Sequence, residues 1–372
     1  MGNICGVEKN NKLSPLQVAV PVAKTEDEQN NNEDLQSNSN QTITAKNILK
    51  NQEESENDSA LRILLLGSPE SGKSTLMEQI RLLYNQEFKE NELYQRKSFL
   101  YNNILESMRC ILNHMKEHSI SFGSEANQAK ADIILDDFEN IYGPFNAREY
   151  DCLESLWSDE NVIQTYQMRA RYNLNDSAGY FFDSLKRIND INFKPTPQDL
   201  IMAYSPTIGI QTLIFTAKHK SYQLIEYAGN KFDATKLKDI YEGIDAVFFC
   251  LAISEYDQIP ISDPEITKLQ FSLKMLDKVC ECSRDQQVPL FVFLNETDVF
   301  QEKLDISPLG VHFDDYSGLT AKDAMLFMHE LVEERCAMHG LKDLHSEYLC
   351  TFININESRQ MLDKIFKKLK KL

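Results

Sequence analysis

The sequence predicts an α/β fold, a mostly parallel sheet with helices on both faces, interrupted by an all-helical insertion. Three observations carry this expectation. Short continuous apolar runs recur at Leu61 to Leu66, Gly209 to Phe215, Tyr222 to Tyr227, Ala246 to Ala252 and Pro289 to Leu294, with helical patterns separating the later ones. Such runs suit strands buried on both faces. The first run breaks into a glycine-containing loop and then into Leu76, Met77, Ile80 and Leu83 at helical spacing. Between Tyr84 and Asp199, long segments such as Phe99 to His118 and Asn161 to Ile188 place apolar residues three and four apart, which predicts helices.

The first 60 residues stand apart. They contain 16 Asn plus Gln and no Phe, Tyr or Trp, so they cannot bury enough apolar surface to offset chain entropy, and the folded part is expected to begin near Leu61. The chain opens Met1-Gly2-Asn3-Ile4-Cys5-Gly6. Gly2 is placed for N-myristoylation and Cys5 for palmitoylation, and two acyl chains anchor stably where one does not. Position 6 is Gly where the acceptor pattern has Ser or Thr. The longest apolar run, Ala246 to Ile253, falls far short of the ~18 residues that span a bilayer. The expectation is therefore a lipid-anchored protein on the cytoplasmic face of the plasma membrane, and otherwise a cytosolic one.

At 372 residues the chain is long enough for about two domains, and 39 Lys plus Arg against 57 Asp plus Glu give a charge of −18. This acidic balance argues against nucleic acid as a partner, since backbone phosphates are bound by clustered cations. The dense basic run Lys364 to Lys371 accompanies Met361, Leu362, Ile365, Phe366, Leu369 and Leu372 at helical spacing, and reads as the solvated face of a terminal amphipathic helix. Eight scattered cysteines without a CxxC pair fit reduced thiols. His114 and His118 share a helix face, but with no third ligand they read as core or solvated histidines rather than a zinc site.

Gly67 to Ser74 fits G-x-x-x-x-G-K-[ST], the phosphate-binding loop. Glycines let backbone N–H groups of Glu70, Ser71, Gly72 and their neighbours through Thr75 wrap phosphates, Lys73 offsets the charge, and the Ser74 hydroxyl can ligate Mg²⁺. The following helix directs its positive end at the same anion. The loop by itself fits GTP or ATP, and a switch, a motor or a small-molecule kinase. Base choice is read elsewhere. Asn295-Glu296-Thr297-Asp298 follows an apolar run, and the Asp298 carboxylate can accept from the ring N–H and the exocyclic amino group of guanine, a donor pair that adenine lacks. The bland alternative is a turn after a strand.

With these pieces in order the chain resembles the alpha subunits of heterotrimeric G proteins from Leu61 to about Leu372. The most specific matches are Leu156-Trp157 with Asp159, Tyr172-Asn173-Leu174-Asn175-Asp176-Ser177-Ala178, Tyr180, Arg187-Ile188 and Pro195-Thr-Pro-Gln-Asp199, together with Tyr241-Glu242-Gly243 and Ile253 to Asp257. The resemblance implies a Ras-like GTPase domain, with a six-stranded sheet, over 61–84 and 200–372. It also implies a helical domain over 85–199 that closes over GTP or GDP, and an N-terminal arm over 1–60. Carried over residue by residue, Ser74 and Thr207 would hold Mg²⁺, Thr207 and Gly209 would form the first switch, and Gly229 would meet the γ-phosphate. The Ile353 N–H would approach the guanine carbonyl. The implied partners are a beta-gamma dimer, a membrane receptor and an effector. The C-terminal helix stops several residues short of the tail that the family inserts into receptors.

Departures from the family concentrate on hydrolysis. Tyr204 stands where the family has its catalytic arginine, whose known contribution in the family, borrowed here, is roughly 10³ to 10⁵ in rate. Asn230 stands where a glutamine orients water, and Pro69 supplies no N–H in the loop. Glu226 replaces an aspartate, and Glu296 replaces a lysine, bringing negative charge toward the nucleotide. The expectation is a switch that binds GTP and hydrolyses it slowly. The alternative is a binding module that retains the fold without nucleotide-driven switching.

Overall fold

The computed structural model describes residues 60–84, 88, 90–138, 143–172, 174–204, 209–228, 237–259, 265–341, 345–349 and 355–369. Gly2, Cys5, Thr207, Gly229, Asn230 and Ile353 lie outside the described residues.

The described chain begins with β1 (Leu61–Gly67), the phosphate-loop segment and α1 (Lys73–Leu83). A run of helices follows: α2 (Glu90–Glu117), α3 (Ala126–Asp136), α4 (Ala147–Trp157), α5 (Glu160–Gln167), α6 (Ala178–Asp183), α7 (Leu185–Ile188) and α8 (Pro197–Met202). Then come β2 (Ile210–Ala217), β3 (Lys220–Tyr227), α9 (Leu237–Ile240), β4 (Ala246–Ala252), α10 (Lys268–Gln286), β5 (Leu290–Asn295) and α11 (Thr297–Lys303). The chain closes with α12 (Ala321–Met338), β6 (His345–Leu349) and α13 (Ile355–Leu369).

The strands form one six-stranded sheet in the order β2-β3-β1-β4-β5-β6. Only β2 and β3 pair antiparallel; β1 pairs parallel with β3 and β4, and β4-β5 and β5-β6 are parallel. All residues of β4 and β5 are buried, which explains why both read as unbroken apolar runs. Because side chains alternate along a strand, β1 feeds two cores. Leu64 and Leu66 join Phe249, Leu251 and Val292 under α10 and α12, while Ile63 and Leu65 join Phe248 and Phe293 under α1 and α13. The helices that follow β1 and β4 thus leave the sheet on opposite faces. That divergence opens a crevice at the carboxyl ends of the strands, where ligands bind in open sheets of this type.

The helical stretch has its own core. One face of α2, through Leu100, Ile104, Met108 and Ile111, packs with Ile134, Leu153, Val162 and Phe181. The segment Asn161 to Ile188, whose spacing predicts helices, is divided among α5, a 3₁₀ turn at Arg169–Tyr172, α6 and α7. Asn175 explains one break: its Oδ1 accepts from the Ser177 N–H at 2.9 Å and hydroxyl at 2.7 Å, a local alternative to helical bonding. The return to the sheet is set by Thr196 and Asp199, which cap α8 reciprocally around Pro197. Asp199 is fully buried and also accepts from Tyr180 Oη at 2.7 Å and from both terminal nitrogens of Arg187 at 2.9 and 2.7 Å. The Pro-Thr-Pro-Gln-Asp segment is therefore a hydrogen-bonded hinge between two cores.

α13 follows the predicted amphipathic pattern, with Leu362, Ile365, Phe366 and Leu369 fully buried. Phe366 meets Tyr84, Phe215, Tyr222 and Phe248 with ring centroids 4.9–6.3 Å apart. His114 stacks on Tyr172 and His118, and is a buried aromatic neighbour rather than part of any group of three metal-ligating residues among those described. We predict that Phe366→Ala costs about 3–5 kcal/mol of stability, as a large aromatic truncation in a close-packed core should, measured by denaturant unfolding. A loss under 1 kcal/mol would show that α13 is dispensable to the sheet.

Candidate functional site

The site is built at the carboxyl end of β1. Gly67 has φ +151°, and a Cβ there would lie 2.5 Å from both the Cys250 carbonyl oxygen and Ser71 Oγ. Glycine alone lets β1 stay in register with Cys250 of β4 while the loop departs. Glu70 at φ 63° and Gly72 at φ 78° are left-handed, a backbone that turns N–H groups into an anion-binding concavity at the start of α1.

Side chains from distant elements brace this loop. Ser68 Oγ receives Ser272 Oγ of α10 at 2.6 Å, and the Ser68 carbonyl accepts from Ser71 Oγ at 2.9 Å. Asn295, at the end of β5, donates from Nδ2 to the Ser71 carbonyl at 3.0 Å. That bond ties the connector predicted to select the base to the loop predicted to hold the phosphates. Asn295 is fully buried, and its Oδ1 has no donor among the described residues.

Lys73 is 5% exposed and donates from Nζ to the Ser68 carbonyl at 2.6 Å. Burial pulls the ammonium below the usual lysine range, against the opposing influence of Glu226, Glu255 and Glu70. It forms no salt bridge among the described residues, so a buried cation faces the loop with carbonyl oxygen as its partner. Such an ammonium is stabilised by an anion placed in the loop. The next residue, Ser74, donates from Oγ to Glu226 Oε1 at 2.6 Å. Glu226 is fully buried at the end of β3 beside Leu65 of β1. A serine hydroxyl backed by a carboxylate is a hard oxygen pair, the chemistry that suits Mg²⁺. Thr75 follows in α1 and also faces the cavity.

A cavity of about 400 Å³ opens in front of the loop. From the sheet side it is lined by residues 69–75, Glu226, Glu255, Lys268 and Glu296, and from the helical side by Cys110, Leu174 and Asp176. Tyr204 lies at its edge, 42% exposed. Asn103 of α2 brackets the Tyr204 backbone, accepting from its N–H at 2.7 Å and donating to its carbonyl at 2.9 Å. Burial, then the charge of Glu70, pushes the Tyr204 hydroxyl above the ordinary tyrosine range. Position 204 is therefore occupied by a neutral phenol. Glu70 is drawn to Lys268 of α10 at 2.9 Å, and Lys268 also lies 3.6 Å from Glu255.

Glu296 stands between β5 and α11. Its backbone is left-handed at φ 60° and precedes α11, and its side chain turns inward to accept from Ser254 Oγ. Burial, followed by the charges of Glu255 and Asp176, holds its carboxyl well above the usual carboxylate range. Asp298 stands two residues on, in the first turn of α11 and partly buried. Asn103, Ser254 and Lys268 were not singled out from sequence. Each acts on a partner 42 to 198 residues away, so no local spacing reveals it.

Comparison with known proteins agrees with this geometry. The family model described as G-protein alpha subunit matches residues 36–369. The chain is 42% identical over 313 residues to the guanine nucleotide-binding protein alpha-13 subunit of Caenorhabditis briggsae, covering 84% of this chain and 89% of that protein. It is 40% identical to the alpha-13 subunit of Caenorhabditis elegans, covering 84% and 90%. Against the G(o) subunit alpha of Caenorhabditis elegans it is 33% identical, covering 69% and 73%. With a phosphate loop on a six-stranded sheet, a helical stretch across the cleft, and these matches over most of its length, the chain belongs to the G-protein alpha subunit family.

Proposed function

We propose that this protein is a GTP/GDP switch whose hydrolytic step is weak. The observation that carries the reading is the Asn295–Ser71 bond, which ties the phosphate loop to the connector after β5, whose Glu296 lines the same cavity as the loop. In this reading the loop N–H groups and Lys73 bind the phosphates, and the Asp298 carboxylate accepts from the guanine ring N–H and amino group. Ser74, with Thr207, would hold Mg²⁺, which supplies charge neutralisation on the phosphate oxygens when bound.

Weak hydrolysis rests on what faces the phosphates. The cationic side chains lining the cavity, among the described residues, are Lys73, Arg96 and Lys268. Arg96 is engaged by Glu78 and Glu92, and Lys268 by Glu70. Tyr204 brings no charge to replace a guanidinium, Pro69 withholds an N–H, and Asn230 carries its amide on a stem one methylene shorter than glutamine. We place the protein at the cytoplasmic membrane face through acylation of Gly2 and Cys5, with a beta-gamma dimer, a receptor and an effector as partners. The family matches support that setting. Among the described residues no helix is long and apolar enough to cross a membrane.

Trp157, the one tryptophan, stacks on Phe182 at 4.6 Å and reports on the helical side. Its fluorescence should change when a non-hydrolysable GTP analogue replaces GDP; identical spectra would favour a nucleotide-independent scaffold. Gly67→Ala should weaken GDP binding by at least tenfold in equilibrium titration, because the new Cβ meets the Cys250 backbone carbonyl, which cannot move aside, as well as Ser71 Oγ. Wild-type affinity in that variant would remove the loop from the binding site. Tyr204→Arg should raise the single-turnover GTP hydrolysis rate on the order of tenfold or more, short of the family's full arginine effect because Asn230 remains. An unchanged rate would locate the deficit elsewhere.

A further inference from the structure

Basic side chains from two distant parts of the chain meet near the β2 edge of the sheet. The turn between β2 and β3 is Lys218-His219, closed by the pairing of Ala217 with Lys220. Both turn residues are left-handed, at φ 51° and 63°. A two-residue turn of that kind favours Asn-Gly, so forming the turn does not account for a lysine and a histidine there. The hairpin lies along α13. Lys218 Nζ pairs with Asp363 at 2.7 Å, Tyr222 Oη donates to the Phe366 carbonyl at 3.3 Å, and Phe215 meets Phe366 edge-on with ring centroids 5.3 Å apart.

α13 brings more lysines to the same place. Its stripe of Leu362, Ile365, Phe366 and Leu369 is fully buried, which leaves Lys364, Lys367 and Lys368 exposed. Lys367 stands one turn beyond Asp363 on the face turned to the hairpin, and Lys364 and Lys368 share the adjoining face. From Lys364 to Lys371 there are five lysines in eight residues and no acidic one, in a chain where 57 Asp plus Glu outnumber 39 Lys plus Arg. Asp363, between helix and hairpin, already accepts from Lys218 and from Tyr84 Oη at 3.0 Å. None of these lysines lines the nucleotide cavity.

We infer that the exposed face of α13 and the β2–β3 turn form a docking surface for an anionic lipid bilayer, carried by Lys218, Lys220, Lys364, Lys367 and Lys368. The C-terminal run by itself reads as a solvated helix face; the fold sets the hairpin lysines beside it and turns its apolar stripe inward. A cluster of this size on an amphipathic helix is of the kind that attracts anionic headgroups. Among its described residues α13 leaves no large apolar side chain exposed, so the surface offers charge without the apolar or aromatic anchors that dominate protein interfaces. For the same reason the helix rests on the headgroups and does not insert. The overall charge of −18 does not prevent contact, because at physiological ionic strength fields are screened over about 8 Å and the bilayer meets the local lysines. The surface acts independently of acylation at Gly2 or Cys5, and would supply the second signal that a single acyl chain needs for stable anchoring.

The test is co-sedimentation of the full, unacylated chain with phosphatidylcholine vesicles, with and without phosphatidylserine. The protein should sediment with the anionic vesicles and not the neutral ones, and binding should fall as salt is raised. Replacing Lys364, Lys367 and Lys368 together by Gln should weaken binding roughly tenfold or more, with thermal unfolding unchanged because all three side chains are exposed. Lys218→Gln with Lys220→Gln gives a second, independent loss should the first variant fold poorly. The control replaces Lys274, Lys278 and Lys322 by Gln, the same change in net charge at exposed positions of α10 and α12, and should bind as wild type does. Equal binding to neutral and anionic vesicles, or an equal loss in the control, overturns the proposal. So does absence of binding to either vesicle, which would leave the patch to an acidic protein partner or to solvent.

Discussion

A lysine ammonium withdrawn from water at the start of α1 is the constraint around which the cleft is organised. Lys73 has a single carbonyl hydrogen bond and no ion pair among the described residues, so its burial is unfavourable until negative charge enters the loop. The surroundings make sense in that light. Gly67 keeps the loop open where any side chain would close it, and Ser272 and Asn295 hold its shape from two other elements. Glu226 stands behind Ser74 rather than against the ammonium. A site held this firmly before its ligand arrives loses little in reorganisation when the ligand binds.

Two of the departures from the family pattern, Tyr204 and Glu296, stand where the family carries fixed positive charge. Tyr204 is a phenol anchored through its backbone by Asn103, so α2 still sets its position while the chemistry of its side chain has changed. Glu296 turns inward to accept from Ser254, and burial with neighbouring carboxylates raises its carboxyl above the usual carboxylate range. The cleft can thus keep its shape while losing catalytic charge, since position and charge are set by different interactions.

Among the described residues, the polar contacts between the two sides of the cleft include Arg169–Glu302 and Asn103 against the Tyr204 backbone. Asp199, whose carboxylate accepts five bonds from Thr196, Tyr180 and Arg187, gives the return segment a defined geometry.

Much of this was legible in the amino-acid order alone. Five strands, the phosphate loop and the apolar stripe of α13 are local patterns, written by side-chain periodicity and by glycine at positions where backbone approaches backbone. The sixth strand, His345–Leu349, carries no local signal of that kind, and the spacing over Asn161 to Ile188 predicts helices without showing where Asn175 competes for backbone N–H groups and breaks them. Residue type likewise marked Lys73, Ser74, Asn295 and Asp298 as a set. Only the tertiary structure decided which distant groups surround them: Asn103 on Tyr204, Lys268 on Glu70, and Ser254 with Asp176 on Glu296. Charge state and positioning depend on burial and on neighbours far along the chain, so the sequence names the chemical groups while the fold sets the protons they hold.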